Sequence, residues 1–258
     1  MASRIFGFIL VVLMVTSCSP SRKVAYFENV QDASFKSTLA TVEAPIQPND
    51  ILTITISSLN AEASAVFNPT TNQVIRIGTS SGSDVLGGGY LVNPDGNVQL
   101  PILGNVKAAG LTKKQLKESI TSILLSKKLL IDPIVDIRYL NYEVTVIGEV
   151  NKPTVITVPS EKISLIKAIG LAGDLTIYGR RDNVLLIREE AGQKITRHID
   201  LNSSDFLNSP YYYLQPNDVV YVEPNKTRVA SSSRSQQIIP IILSSLSIIV
   251  VVVTSLIK

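Results

Sequence analysis

Apolar and polar positions change their spacing several times along this chain, and each change marks an element. After the turn Pro48-Asn49-Asp50 the string Ile51-Leu52-Thr53-Ile54 opens an alternating strand. The same lead-in returns near the other end, so that QPNDILTI at 47–54 is matched by QPNDVVYV at 215–222, too short a match to establish an internal duplication. A second turn, Asn93-Pro94-Asp95-Gly96, precedes Val98 to Gly104, whose alternation through Leu100 and Ile102 predicts another strand. Beyond Gly110 the period turns helical. In TKKQLKESITSILLSKKL, Leu116, Ile120, Ile123 and Leu124 share one face, and Thr112 with Gln115 forms a capping box. The lysines of that helix form a solvated face and are assigned no partner.

Beyond Asp132-Pro133 the spacing returns to that of strands, at Ile134–Ile137 and Glu143–Val150 and again up to Val158. A second helix is expected from Ser164 to Leu171, ending at Ala172-Gly173, where glycine supplies a left-handed cap. Val184–Arg188 and Ile195–Ile199 then read as paired strands around the Glu190-Ala191-Gly192-Gln193 turn. Strands, helix, strands, helix, strands is an α+β order, in two small units that meet near residue 140.

Both ends are far more apolar than the middle. Arg4 precedes an apolar run from Ile5 to Val15 and then Thr16-Ser17-Cys18. The run is too short for a bilayer core about 30 Å thick and has the layout of a secretory signal. Val15-Thr16-Ser17-Cys18 resembles the bacterial lipobox, in which diacylglycerol is attached to the cysteine and cleavage leaves that residue first. The resemblance makes Cys18 the lipidation site, and Ser19 after it implies delivery to an outer membrane. At the other end residues 238–257 carry no charge, and about 20 residues at a rise of about 1.5 Å cover about 30 Å, which predicts a transmembrane helix. Ser244, Ser247, Thr254 and Ser255 fall roughly on one side of it. Small hydroxyls of this kind either let helices pack closely or line a pore; in both readings the helices associate. Residues 223–237 are a Ser-rich, basic connection into that helix.

Composition narrows the rest. A chain of 258 residues that is 45% hydrophobic is long enough for one sizeable domain or for two or three small ones, each with its own core. The formal charge of +3, which drops by one when the segment bearing Arg4 is removed, gives too weak a field to argue for nucleic acid, and tryptophan is absent. One cysteine excludes an internal disulfide and a cysteine zinc cluster. His198, the only histidine, has no ligand set around it and reads as a surface or packing residue; Gly87-Gly88-Gly89 lacks the Lys-Ser/Thr of a phosphate cradle and reads as a loop. Asp50 and Asp218 resemble paired acids only until their turns are considered, and capping a tight turn is the simpler job. Tyr211, Tyr212 and Tyr213 fit either stacking on sugar rings or strand packing. No nucleophile, base and orienting group can be picked out together, so no enzyme is expected, nor a metal or cofactor.

Taken in order, these strings are similar to the outer-membrane polysaccharide export family, the Wza-like lipoproteins. Pro48 to Leu52, Asn93 to Gly96, Pro101 to Gly104 and Gly110-Leu111-Thr112 resemble its polysaccharide export domain. Val146 to Pro153, Ala168 to Gly173 and Leu214 to Val219 resemble the soluble-ligand-binding β-grasp (SLBB) domain that follows. The resemblance divides the chain into a signal peptide (1–17), a lipidated segment (18–40), an export domain (41–139), an SLBB domain (140–222), a linker (223–237) and a transmembrane helix (238–257). It implies a ring-shaped homo-oligomer with its body in the periplasm, an exit for capsular or exopolysaccharide across the outer membrane, and an inner-membrane copolymerase or chain-length regulator as partner. Asn49 stands where the family usually has glycine, and only one β-grasp domain fits, so a shorter ring is expected. A different class of reading is a periplasmic lipoprotein that binds a glycan or another protein and uses its last helix only as an anchor.

Overall fold

The computed structural model describes residues 26–27, 43–68, 74–77, 85–190 and 192–231, together with helical positions 238, 242, 244, 245, 247–249, 252 and 255. The lipidation site Cys18 lies outside the described residues, as does Thr254. Among the described residues no helix is long and apolar enough to cross a membrane. Ser244, Ser247 and Ser255 are in helical conformation, and the rest of the span expected at 238–257 is described only at the positions just named.

The first unit is built around β1 (Ile51–Ser57), which pairs antiparallel with β4 (Tyr90–Leu91) on one side and β7 (Ile134–Tyr139) on the other. Alternation puts Leu52, Ile54 and Ile56 on one face, where Val135 and Ile137 join them. The helix α2 (Lys113–Ser126) closes that face with Leu116, Ile120 and Leu124, none of which touches solvent. Each such burial contributes about 1.5–3 kcal/mol. The expected capping box is formed: the Thr112 hydroxyl accepts from the Gln115 N–H at 3.2 Å, and the Gln115 side chain accepts from the Thr112 N–H at 2.9 Å.

Three elements depart from the sequence reading. Val98 to Gly104 is a hairpin, β5 (Asn97–Leu100) with β6 (Gly104–Lys107), because Pro101 has no N–H for a ladder and Ile102 takes a left-handed φ of 64° that turns the chain. Gly87 and Gly88 are not loop: they belong to β3 (Val85–Gly88), paired with β2 (Val74–Ile77). A short helix α1 (Ala61–Ala65), capped by the Asn60 side chain, was not anticipated.

The second unit is a five-stranded mixed sheet in the order β11-β10-β12-β8-β9. Here β8 (Glu143–Gly148) and β9 (Thr154–Thr157) form one hairpin and β10 (Gly179–Glu190) and β11 (Gln193–Ile199) another, and β12 (Val219–Pro224) runs between them, parallel to β8. Val144, Val146, Val184, Leu186, Val220 and Val222 face α3 (Leu165–Leu171), which returns Leu165, Ala168 and Ile169. Gly173, at φ 78°, ends that helix as expected. Gly148 has a positive φ of 95°, and a Cβ there would sit 2.2 Å from the Val222 carbonyl oxygen, so only glycine lets β8 and β12 close. The connection beyond β12 begins as a helix, α4 (Lys226–Ser231), whose Arg228 N–H donates to the Asn225 side chain at 2.9 Å.

The units are fastened to each other. Glu161 of the second accepts from Lys113 Nζ of α2 at 2.5 Å through one oxygen and from the Tyr139 N–H of β7 at 2.5 Å through the other. Gln47 donates to the Glu189 carbonyl at 2.7 Å, and the Asn141 side chain accepts from the Ile51 N–H at 2.9 Å. Tyr139 packs against both cores.

Candidate functional site

The repeated Gln-Pro-Asn-Asp strings fold the same way. In each, proline precedes an asparagine with positive φ, 72° at Asn49 and 66° at Asn217, and the aspartate N–H returns to the glutamine carbonyl at 3.2 Å. That is a type II turn, in which asparagine replaces the more usual glycine. The aspartate then accepts the glutamine N–H, at 2.8 Å for Asp50 and 2.7 Å for Asp218. Both carboxylates are buried and serve the turn, as their context implied.

Their surroundings differ. The register that pairs Ile187 with Val219 brings Arg188 beside Asp218, and the two form a two-pronged pair at 2.9 and 2.7 Å. Burial raises the Asp218 carboxyl above its ordinary range, and Arg188 and the Gln215 N–H pull against that rise. Among the described residues no ion pair reaches Asp50, and burial pushes its carboxyl up to about 6, with only the Gln47 N–H opposing.

Around Arg188 the structure gathers the tyrosines. The segment after the 3-10 turn Ser204–Asn208 is held to the start of α3, where the Leu165 N–H donates to the Tyr212 carbonyl at 2.9 Å. Tyr211 and Tyr212 both pack against the core of this unit, the Tyr212 ring lying 5.4 Å from Phe206 and edge-on to Tyr213 at 4.9 Å. All three rings are half-buried, and Tyr211 and Tyr213 each stand beside a cation. Pairing of Leu186 with Arg197 puts Arg197 on the same side of the sheet as Arg188. Arg197 Nε donates to the Tyr211 hydroxyl at 2.8 Å, and the Arg188 and Arg197 guanidiniums lie 5.6 and 5.8 Å from the Tyr211 ring centre. Lys162 Nζ stands 4.3 Å over the Tyr213 ring. The result is a partly open aromatic surface with exposed cations at Arg197 and Lys162, suited to polar rings and to negative charge rather than to proton transfer.

The tyrosine run was visible in the sequence; the cations were not connected to it. One signal was available: Val184, Leu186 and Arg188 share a strand face, and an arginine in line with two core residues calls for a carboxylate partner. His198 is exposed on β11, its Nδ1 2.7 Å from the Asn183 side-chain oxygen. Among the described residues no group of three or more His, Cys, Asp or Glu side chains is placed to hold a metal ion. An open hollow on the outer side of α2, lined by Lys117, Thr121, Leu125 and Pro133, lies on the other unit and gathers no comparable set of groups.

Comparison with known proteins gives a consistent result. Residues 40–140 match the family described as polysaccharide biosynthesis/export protein, and residues 142–222 match the SLBB domain. Over 141 residues, 54% of the chain, the sequence is 26% identical to the EPS I polysaccharide export outer membrane protein EpsA of Ralstonia solanacearum. Over 139 residues, 52% of the chain, it is 28% identical to the protein of that name from Ralstonia nicotianae. The matched stretches make up 37% and 35% of those two proteins, so the chain spans little more than a third of the length of these relatives.

Proposed function

The chain belongs to the polysaccharide biosynthesis/export family, Wza-like in its pairing of an export domain with an SLBB domain, and from that membership we propose that it is an outer-membrane lipoprotein through which a bacterial cell exports capsular or exopolysaccharide. The observation that carries this reading is the order of the two family domains on two separately cored units that are joined by Glu161. On this reading Cys18 is acylated, residues 18–40 lead from the lipid to the body, 223–237 lead out again, and 238–257 cross the membrane. The body then lies in the periplasm, and several copies form a ring whose last helices meet along Ser244, Ser247, Thr254 and Ser255. Leu125, Ile131 and Ile134, all exposed around the end of α2 and the start of β7, are the kind of surface that a neighbouring copy covers. An inner-membrane copolymerase or chain-length regulator delivers the glycan, and Tyr211, Tyr212 and Tyr213 offer it contacts. Passage of a flexible polar chain needs no bond to be made or broken, so no catalytic residue, metal or cofactor enters the scheme.

Electron microscopy of the detergent-extracted full chain tests it: the expected particle is a symmetric ring with a lumen. Deleting residues 238–258 is expected to abolish export and leave the two units folded, and Tyr211→Ala is expected to slow export without changing the ring. A monomer that still supports export after the deletion would replace this reading with that of a binding lipoprotein held by a second anchor.

A further inference from the structure

We propose that one edge of the SLBB unit, built from residues 149–152, 171–178 and 225–229, rests on the surface of an anionic phospholipid leaflet. The proposal depends on the two-tether reading above and adds a contact made by the folded body itself.

The described segments that stand nearest the two tethers in the sequence, at Tyr26 and at Asn225, meet the same loop. The hydroxyl of Tyr26 donates to the Asp174 carboxylate, its ring lies 5.0 Å from the Arg181 guanidinium, and the Phe27 N–H donates to the Leu201 carbonyl at 3.3 Å. On the way out, the Asn225 N–H donates to the Tyr178 carbonyl at 2.8 Å and the Asn225 side chain to the Ile177 carbonyl at 3.5 Å. Arg228 Nε then donates to Glu149 at 3.1 Å, and the other oxygen of Glu149 accepts from the Thr176 hydroxyl at 2.8 Å. Entry at Asp174 and exit at Ile177-Tyr178 are thus neighbours. Cys18 and Tyr26 are eight residues apart in the sequence, a reach of at most about 28 Å. An acyl group on Cys18 therefore holds this edge within that distance of the headgroups.

The edge has the composition that such a position requires. Ile177 is 72% exposed, Leu171 54% and Val229 58%, three large apolar side chains left in water where the chain enters and leaves. Its acids are engaged: Asp174 by Tyr26, and Glu149 by Arg228 and Thr176. Lys152 and Lys226 are exposed beside them. In the sequence Arg22-Lys23 stands just before Tyr26, and Arg234 follows Arg228, so basic residues flank both tethers. Exposed apolar side chains with lysines close by suit an interface in which the former dip among acyl chains and the latter meet phosphates.

The test uses the full acylated chain in vesicles of phosphatidylethanolamine with phosphatidylglycerol. Since Cys18 is the only cysteine and acylation occupies its sulfur, Ile177→Cys, Leu171→Cys and, on the other unit, Leu59→Cys each present one free thiol for an environment-sensitive fluorophore. Leu59 is 90% exposed and serves as the reference. Probes at 177 and 171 are expected to be quenched by spin-labelled lipid and to be several-fold less accessible to aqueous iodide than the probe at 59. Replacing phosphatidylglycerol with phosphatidylcholine is expected to reduce that protection. Equal iodide access at all three positions, in protein that floats with the vesicles and carries diacylglycerol on Cys18 by mass spectrometry, overturns the contact and leaves the tethers standing. Protection from iodide without quenching by lipid also overturns it, and assigns the edge to a protein surface. A chain that neither floats nor carries lipid removes both the tethers and the contact.

Discussion

At the scale of single residues, two aspartates in the same turn have been given different chemistry. Asp218 is neutralised by Arg188, and both side chains are almost wholly buried. Arg188→Met leaves a carboxylate with no counter-charge in the core and is expected to lower stability by about 3–5 kcal/mol. Adding Asp218→Asn should recover part of that loss, which denaturant titration of the two variants will show. Among the described residues Asp50 has no such partner, and its folded value of about 6 lies above its ordinary 3.8. Its proton is therefore held more tightly in the folded state. The stability this contributes is complete below the ordinary value and disappears as pH rises through about 6. Relative to Asp50→Asn, the natural chain is expected to lose about 2 kcal/mol between pH 4 and pH 8. Parallel pH profiles of the two unfolding midpoints would contradict the assignment. The sequence displayed both aspartates and both turns, but burial and the arginine that separates them are set by strands far apart in the chain.

At the scale of elements, what the sequence made legible was local. The capping box at Thr112, the apolar face of α2, the glycine end of α3 and the β10–β11 hairpin follow from spacings of a few residues, and each is present. The elements missed or misjudged depend on partners elsewhere. Gly87 and Gly88 become strand only because β2 lies alongside, and residues 97–107 become a hairpin because Pro101 and Ile102 bend the chain where alternation alone runs straight on. The tyrosine surface likewise needed Arg197, which reaches Tyr211 through strand register and not through nearness in sequence. Gly148 links the two kinds of information, since it lies in a string that carries the family resemblance and its role is set by β12. Gly148→Ala would place a Cβ against the Val222 carbonyl at a strained φ and is expected to cost about 2–4 kcal/mol. Thermal unfolding should show a clear drop in midpoint, whereas Gly110→Ala, with nothing within 4 Å of its Cβ, should show only the smaller cost of its positive φ.

At the scale of the whole molecule, two cores that each resemble an independent unit are held in one arrangement by a short list of contacts. Glu161 makes two of them, since each of its oxygens engages a different element of the other unit. Glu161→Ala is expected to leave both cores intact and to separate their melting, so that calorimetry records two transitions where the natural chain records one. A single unchanged transition would mean that Tyr139, packed against both cores, and the Gln47 and Asn141 contacts are sufficient without it. The double grip of Glu161 also has a mechanical meaning. A joint held at one point swings, but a joint held at two points on different elements transmits load along its length. In the ring proposed above, a chain built this way would behave less like beads on a string than like the stave of a cask, stiff enough to keep register with its neighbours while the glycan slides past.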